Sequence, residues 1–222
     1  MLHNLRIPVC ALVAVCGAGV AHAQAVGARV GTTGFGAEVG LGFNELLAVR
    51  GSYGAGSFDY DFTKSDIRYK TKVNPRIGLL TLDVHPLGGY FRLSAGLGFN
   101  DTRADGTADT TSGTITINGT VYNTSEVGTV QGRVTFTRTS PYLGLGWGAP
   151  AKSNGGWYFT SDFGVIFSKA TGSVTGTCAP TLPAPLCTQL QNDLNAEAAQ
   201  FKQDVEKFKY YPVIAIGAGY RF

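Results

Sequence analysis

The chain has 222 residues, of which 15% are charged and 31 are glycine, and its formal net charge is +3. Soluble domains carry about 25% charged residues and about half this share of glycine, and disordered chains pair low hydrophobicity with high charge. The composition therefore excludes disorder and fits an ordinary soluble domain poorly, while a charge of +3 that falls by one if Arg6 is removed gives no argument for nucleic acid or another strongly charged partner.

In chain order, Arg6 precedes an apolar stretch from Ile7 to Val20, and Ala21-His22-Ala23 supplies the small-x-small pattern of a signal-peptidase site. Residues 1–23 are expected to be a signal peptide, with the mature chain starting at Gln24. A lipoprotein signal on Cys16 is the weaker alternative, because Val13-Ala-Val-Cys16 lacks the usual Leu. The apolar stretch is shorter than the roughly 20 residues of a helical span, and no later segment is long and apolar enough to span either.

From 24 to 222 the chain reads as an all-β unit of eight antiparallel strands, over 25–31, 35–43, 46–62, 67–84, 89–108, 130–148, 156–175 and 210–222. Connections at 44–45, 85–89 and 150–155 alternate with those at 63–66, 109–129 and 176–209, the last two long, as in an outer-membrane β-barrel with periplasmic turns and external loops. The first strand has only seven residues where about nine to eleven are expected. If it fails to pair, the strand count becomes odd.

Side-chain alternation supports a lipid-facing exterior. Phe91, Leu93, Ala95, Leu97 and Phe99 share one face opposite Arg92, Ser94, Gly96, Gly98 and Asn100, and Trp157, Phe159, Phe163 and Phe167 oppose Tyr158, Thr160, Asp162 and Ser168. In the last strand, Ile214, Ile216, Ala218, Tyr220 and Phe222 share a face against Gly217, Gly219 and Arg221. Tyr220 and Phe222 form a candidate assembly signal, read by the outer-membrane barrel assembly machinery. Trp147, Trp157, Tyr90 and Tyr220 gather near one end, as an interfacial aromatic girdle does. Lipid and lipopolysaccharide are the expected surroundings, and the outer membrane the expected location.

The charged residues define a candidate lumen. Arg68, Lys70, Lys72, Asn74 and Arg76 alternate with Ile67, Tyr69, Val73, Pro75 and Ile77, and the polar row is expected to face water inside. Pairing across the 63–66 loop sets Asp61 opposite Arg68 and Asp59 opposite Lys70, with Phe58, Tyr60 and Phe62 outward. That phase conflicts with an inward Arg50 unless a bulge falls at Gly54-Ala55-Gly56. Arg29, Arg50 and Arg92 also fall on lumen faces, with Glu38 and Asp162 as acidic partners. Two readings remain open: ion pairs that fill a barrel just wide enough for side chains, or a basic path in which inward glycines such as Gly96, Gly98, Gly144 and Gly146 leave room for a small solute.

Cys178 and Cys187 flank a proline-rich loop, and in an exported chain they read as a disulfide. After them, Leu190, Leu194, Ala198, Phe201, Val205 and Phe208 recur at helical spacing, with Thr188 as N-cap; an amphipathic helix over 188–208 is expected against the barrel rim and neighbouring loops. No metal-spaced cluster, Gly-x-Ser-x-Gly elbow or phosphate loop is present, so neither metal nor cofactor nor enzymatic activity is expected. The mature chain's one histidine, His85, reads as a turn residue two positions after Asp83. Asn118-Gly-Thr matches a glycosylation sequon and reads as loop chemistry.

Val26-Gly-Ala-Arg-Val-Gly-Thr-Thr-Gly-Phe-Gly36, then Ile117-Asn-Gly-Thr-Val-Tyr122, then Ser140-Pro-Tyr-Leu-Gly-Leu-Gly-Trp147 resembles a bacterial family of small outer-membrane barrels that includes the carbapenem-associated, ornithine-uptake porin-like proteins. The resemblance implies an eight-stranded barrel and passage of small amphipathic or basic solutes, and carries over no binding residue. A ladder of Arg68, Lys70, Lys72 and Arg76 departs from that expectation, since it repels a cation unless Asp59, Asp61, Glu38 and Asp162 neutralise it. The sequence thus points to a narrow porin-like channel for diffusion or uptake of small solutes. A closed barrel working through its external loops is the alternative.

Overall fold

The computed structural model describes residues 25–64, 67–108, 113–148 and 155–222, with side-chain detail outside residues 60–69. The expected signal peptide lies outside the described residues. In chain order the strands are β1 (Ala25–Gly31), β2 (Gly34–Gly42), β3 (Leu47–Ala55), β4 (Phe58–Lys64), β5 (Ile67–Asn74), β6 (Arg76–Val84), β7 (Phe91–Asn100), β8 (Arg103–Ala108), β9 (Thr114–Ile117), β10 (Thr120–Asn123), β11 (Val127–Phe136), β12 (Thr139–Trp147), β13 (Gly156–Ile166), β14 (Ala170–Cys178) and β15 (Tyr211–Arg221). One helix, α1 (Ala184–Glu206), precedes the last strand.

Eight strands close a barrel in the order β1-β15-β13-β12-β7-β6-β3-β2, every pair antiparallel. Short as it is, β1 pairs along its whole length with both β2 and β15, so the sheet has no edge. Apolar side chains cover the outside, led by Phe159 at 85% exposure and Trp157 at 82%. A wall of exposed Phe, Leu, Ile and Trp around a closed barrel is what a bilayer requires and water would penalise. Near the short-turn end the aromatics touch: Trp157 meets Tyr220 at 5.6 Å and Phe91 meets Trp147 at 5.5 Å between ring centroids.

Five of the expected strands, 46–62, 67–84, 89–108, 130–148 and 156–175, are each two strands in tandem. Their outer halves form a second, open sheet in the order β14-β11-β8-β5-β4, matching the neighbours β13-β12-β7-β6-β3 below. The breaks fall at one level, at 56–57, Pro75, 101–102, 137–138 and 167–169. Pro75 has no N–H to give a ladder, and Gly56 instead donates its N–H to the Pro75 carbonyl at 3.0 Å. Asp101 N–H to Arg76 O at 2.8 Å and Thr137 N–H to Lys169 O at 2.9 Å also cross the seam. The barrel thus continues outward as a bent wall, here termed the cap.

The segments expected as external loops at 109–129 and 176–209 carry structure of their own. β9 and β10 form a hairpin whose turn, Asn118-Gly119, has φ of 50° and 79°. Two positive φ values in succession are the requirement that Asn-Gly satisfies. Cys178 and Cys187 are disulfide-bonded, with Cα atoms 5.8 Å apart, which ties the end of β14 to the first turn of α1. That helix begins at Ala184, earlier than expected, with Pro183 at the N-cap position and a further proline in the first turn, where no N–H is needed. Thr188 is therefore inside the helix, its hydroxyl donating to the Ala184 carbonyl at 3.0 Å rather than capping.

The hydrophobic stripe of α1 lies on the apolar face of the cap sheet, where Leu190, Leu194 and Val205 are buried while Phe208 is exposed. A Cβ added at Gly172 would come within 2.8 Å of Phe201, and one at Gly176 within 2.7 Å of Leu194. Those two glycines let the helix sit directly on β14. Leu190 and Leu194 join Ala108, Ile115, Ile117, Tyr122 and Val127 in the cap's own small core.

Candidate functional site

Inside the barrel, side chains from opposite walls converge on one ionic layer. Arg50 on β3 donates from Nε to Asp83 Oδ2 at 2.7 Å, and from Nη1 and Nη2 to the two carboxylate oxygens of Asp162 at 2.9 and 3.0 Å. Arg92 on β7 donates from Nη2 to Asp162 Oδ1 and to Thr160 Oγ1, both at 2.8 Å. Arg29 on β1 stands 3.4 Å from Asp162 and 3.6 Å from Glu38, and donates to Ser52 Oγ at 2.9 Å. Glu38 also receives the Tyr158 hydroxyl at 3.3 Å. Three guanidinium groups meet three carboxylates, all buried, so the layer is locally neutral. Desolvating six charges costs several kcal/mol each unless they are paired and hydrogen-bonded, and the layer supplies that pairing.

Toward the long-loop end an apolar layer follows, made by Ile77, Leu79, Tyr142, Ile166 and Val213. The space left by inward glycines is occupied. A Cβ at Gly144 or Gly164 would fall 2.3 Å from the Tyr142 hydroxyl, one at Gly98 3.0 Å from Ile166, and one at Gly219 2.5 Å from Tyr158. Below the ionic layer a cavity of about 30 Å³, close to one water molecule's share of volume, lies among Arg50, Asp83, His85, Arg92, Tyr158 and Arg221. His85 opens the turn, its carbonyl accepting the Gly88 N–H at 3.0 Å, and it is buried there: its backbone N–H donates to Leu46 O at 2.8 Å and its Nδ1 lies 2.9 Å from Gly89 O. Burial depresses the imidazole pKa, against the opposing pull of the Gly89 bond.

The basic ladder is elsewhere. Ile77, expected outward, is 1% exposed inside the barrel, and its neighbour Arg76 points out. Lys70 and Lys72 lie on β5 of the cap, opposite Thr107 and Asp105 of β8, with Arg133 of β11 next across the sheet from Asp105. This is the solvent face, where Arg133 Nε meets Asp105 Oδ1 at 2.5 Å. The β4–β5 register sets Asp59 against Lys72, Asp61 against Lys70 and Thr63 against Arg68, two residues away from the expected pairing, because the strands run on to Lys64 and Ile67 and shorten the loop. Asp59, Asp61, Arg68, Lys70, Lys72 and Arg76 are thus not brought to the barrel interior. No bulge reverses the phase between Arg50 and Phe58.

One physical cause explains all of this. A polar row belongs to the lumen only where the opposite side meets lipid, and beyond the seam both sides of the wall are outside the membrane. The same inverted phase hides Asp83, which shares its face with Ile77, Leu79 and Thr81 and is the partner of Arg50. A strict alternation counted back from Asp83 would find it.

Neither a protein-family model nor a curated protein sequence matches the chain. Among solved structures, CarO of Acinetobacter baumannii superimposes with a TM-score of 0.58 at 20% identity, over 90% of this chain and 98% of that one. CarO2 of the same organism gives 0.59 at 17% identity, over 89% and 97%. A major outer membrane protein of Thermus thermophilus aligns at 0.47 and 16% identity, over 89% and 98%. At these identities the likeness is one of fold. This chain is an outer-membrane β-barrel. The fold and its apolar belt set the protein in the outer membrane, with the ionic layer inside the barrel and the cap beyond the seam.

Proposed function

We propose that the barrel is closed at rest and that the protein works at the cell surface through its cap, not as a standing diffusion pore. One observation carries this reading: the cross-section is filled twice, by the six-charge layer around Arg50 and Asp162 and by the Tyr142–Ile166 layer beyond it. An eight-stranded barrel has an interior only wide enough for side chains, and here both layers are packed. Wild-type protein in a planar bilayer is expected to show no steady ion conductance, and liposomes containing it are expected not to swell in small zwitterionic, cationic or anionic solutes. Steady conductance or solute-dependent swelling overturns the closed reading.

A second reading has its own support. Nε and Nη2 of Arg29 and Nε and Nη1 of Arg221 are buried without a protein partner among the described residues, so donors stand ready along the interior for a small polar solute if the layers part. Under that reading conductance is brief and gated, and Tyr142→Ala raises it.

A further inference from the structure

A cavity lies in the cap, between sheet, hairpin and helix. It measures about 420 Å³, inside the range of small-molecule sites. Its floor is the inner face of the cap sheet, where register sets Thr71, Gly106, Gly132 and Val174 side by side across four strands. Its roof is Ile117 of the hairpin with Leu194 and Phe201 of α1. We propose that this cavity binds a small amphiphile with a compact aliphatic body and one protonated amine, a proposal that deepens the reading of the cap as the working part.

The floor glycines point to a ligand. Glycine inside a strand weakens it and commonly marks a bulge, a bend, or close approach of another group. Gly172 and Gly176 have such a reason, the packing of α1. Gly106 and Gly132 do not: a Cβ at Gly132 would meet nothing within 4 Å, and one at Gly106 only Thr71 Oγ1 at 3.6 Å and the Gly132 carbonyl at 4.0 Å. Ordinary side chains would fit there and fill the cavity. Two adjacent strands therefore give up side chains just where the space opens.

The walls decide the ligand's chemistry. Ala104, Val130, Val134, Val174, Leu194 and Phe201 offer no hydrogen bond, which suits an aliphatic body. One carboxylate, Glu197, faces the same cavity and lies four residues, about one helical turn, from Asp193. Its Oε2 accepts the Asn118 N–H at 3.0 Å. A single negative group in an apolar site favours a cation over an alcohol, and rejects a carboxylate.

The test uses the full mature chain in nanodiscs with methyl labels on Leu and Val, titrated with n-octylamine, n-octanol and octanoate. Saturable shifts at Leu194, Val134 and Val174 are expected with octylamine at or below about 1 mM, at least tenfold tighter than with octanol and absent with octanoate. Gly132→Leu is expected to abolish the shifts with the barrel intact on a heat-modifiability gel; Gly106→Val serves the same purpose if that variant fails to fold. Glu197→Gln is expected to remove the tenfold preference for the amine. Absence of saturable shifts, binding that survives both filling variants, or contacts from nanodisc acyl chains to these methyls overturns the site; equal binding of amine and alcohol overturns its cationic ligand. Closure of the barrel is read separately in the bilayer, so either idea can fail alone.

Discussion

The barrel and the cap are built from the same strands, yet they solve opposite problems. Below the seam the outside is lipid, so charge goes inward and must be paired: Arg50 touches Asp83 and Asp162 and approaches Glu38 at 3.4 Å. Above the seam the outside is water, so Lys70, Lys72, Asp105 and Arg133 turn outward and the inner face turns apolar under α1. The polarity of a strand's two faces thus inverts along one continuous wall. An alternating pattern gives the two faces of a strand, and only the surrounding solvent tells which of them is inside.

The largest effect expected is at the ionic layer. Arg50→Ala removes one arginine partner from each of three buried carboxylates and should cost about 3–5 kcal/mol, read as a lower urea midpoint for the barrel. Ile166→Ala, in the apolar layer beyond it, should cost about 2–5 kcal/mol by leaving a cavity among Ile77, Tyr142 and Val213. A midpoint unchanged by either variant would mean the interior is looser than its contacts imply.

The cap should come apart without the barrel. Reducing the Cys178–Cys187 disulfide, or replacing both cysteines by serine, should loosen the 184–206 helix by about 2–3 kcal/mol, visible as faster amide exchange there with the barrel strands still protected.

A smaller and pH-dependent effect falls at the hairpin–helix junction. Asp193 accepts the Tyr122 hydroxyl at 2.6 Å and the Asn118 side-chain N–H at 3.1 Å, and these bonds hold its carboxyl below the ordinary range. A depressed carboxylate pKa contributes stability above the unfolded value of about 3.9 and loses it as pH falls through the folded value. Exchange at 114–123 should therefore rise below about pH 4, and Asp193→Asn should flatten that dependence. The matching Tyr122 hydroxyl is pushed up to about 12 by burial and by Asp193, so no tyrosine titration is expected at neutral pH.

Least of all should Lys70→Glu with Lys72→Glu do. On a solvated face the pair should change barrel stability by less than about 0.5 kcal/mol and leave bilayer currents unaltered. A shift in ion selectivity in this variant would return the ladder to the conducting path.

Much of the barrel was legible because its period of two is written in large side chains: Phe91 to Asn100, Trp157 to Ile166 and Val213 to Phe222 read correctly against lipid. Arg29, Glu38, Arg50, Arg92 and Asp162 followed, since a charge on those strands has only one dry-safe side. The hairpin was signalled by Ile115 and Ile117 before Asn118-Gly119, and was hidden by reading that stretch as loop chemistry. The helix was visible from its three-four spacing, while its start was misplaced because Thr188 is a better cap than Pro183 in isolation.

The sequence by itself determined alternation, the eight strands of the barrel, its turn chemistry and a cysteine pair, because each is written in side chains a few positions apart. Tertiary structure alone decided where the membrane stops along each strand. That level depends on Pro75 and on breaks in four other strands lining up across the wall, and it sends Asp83 into the barrel interior and Lys72 out to water.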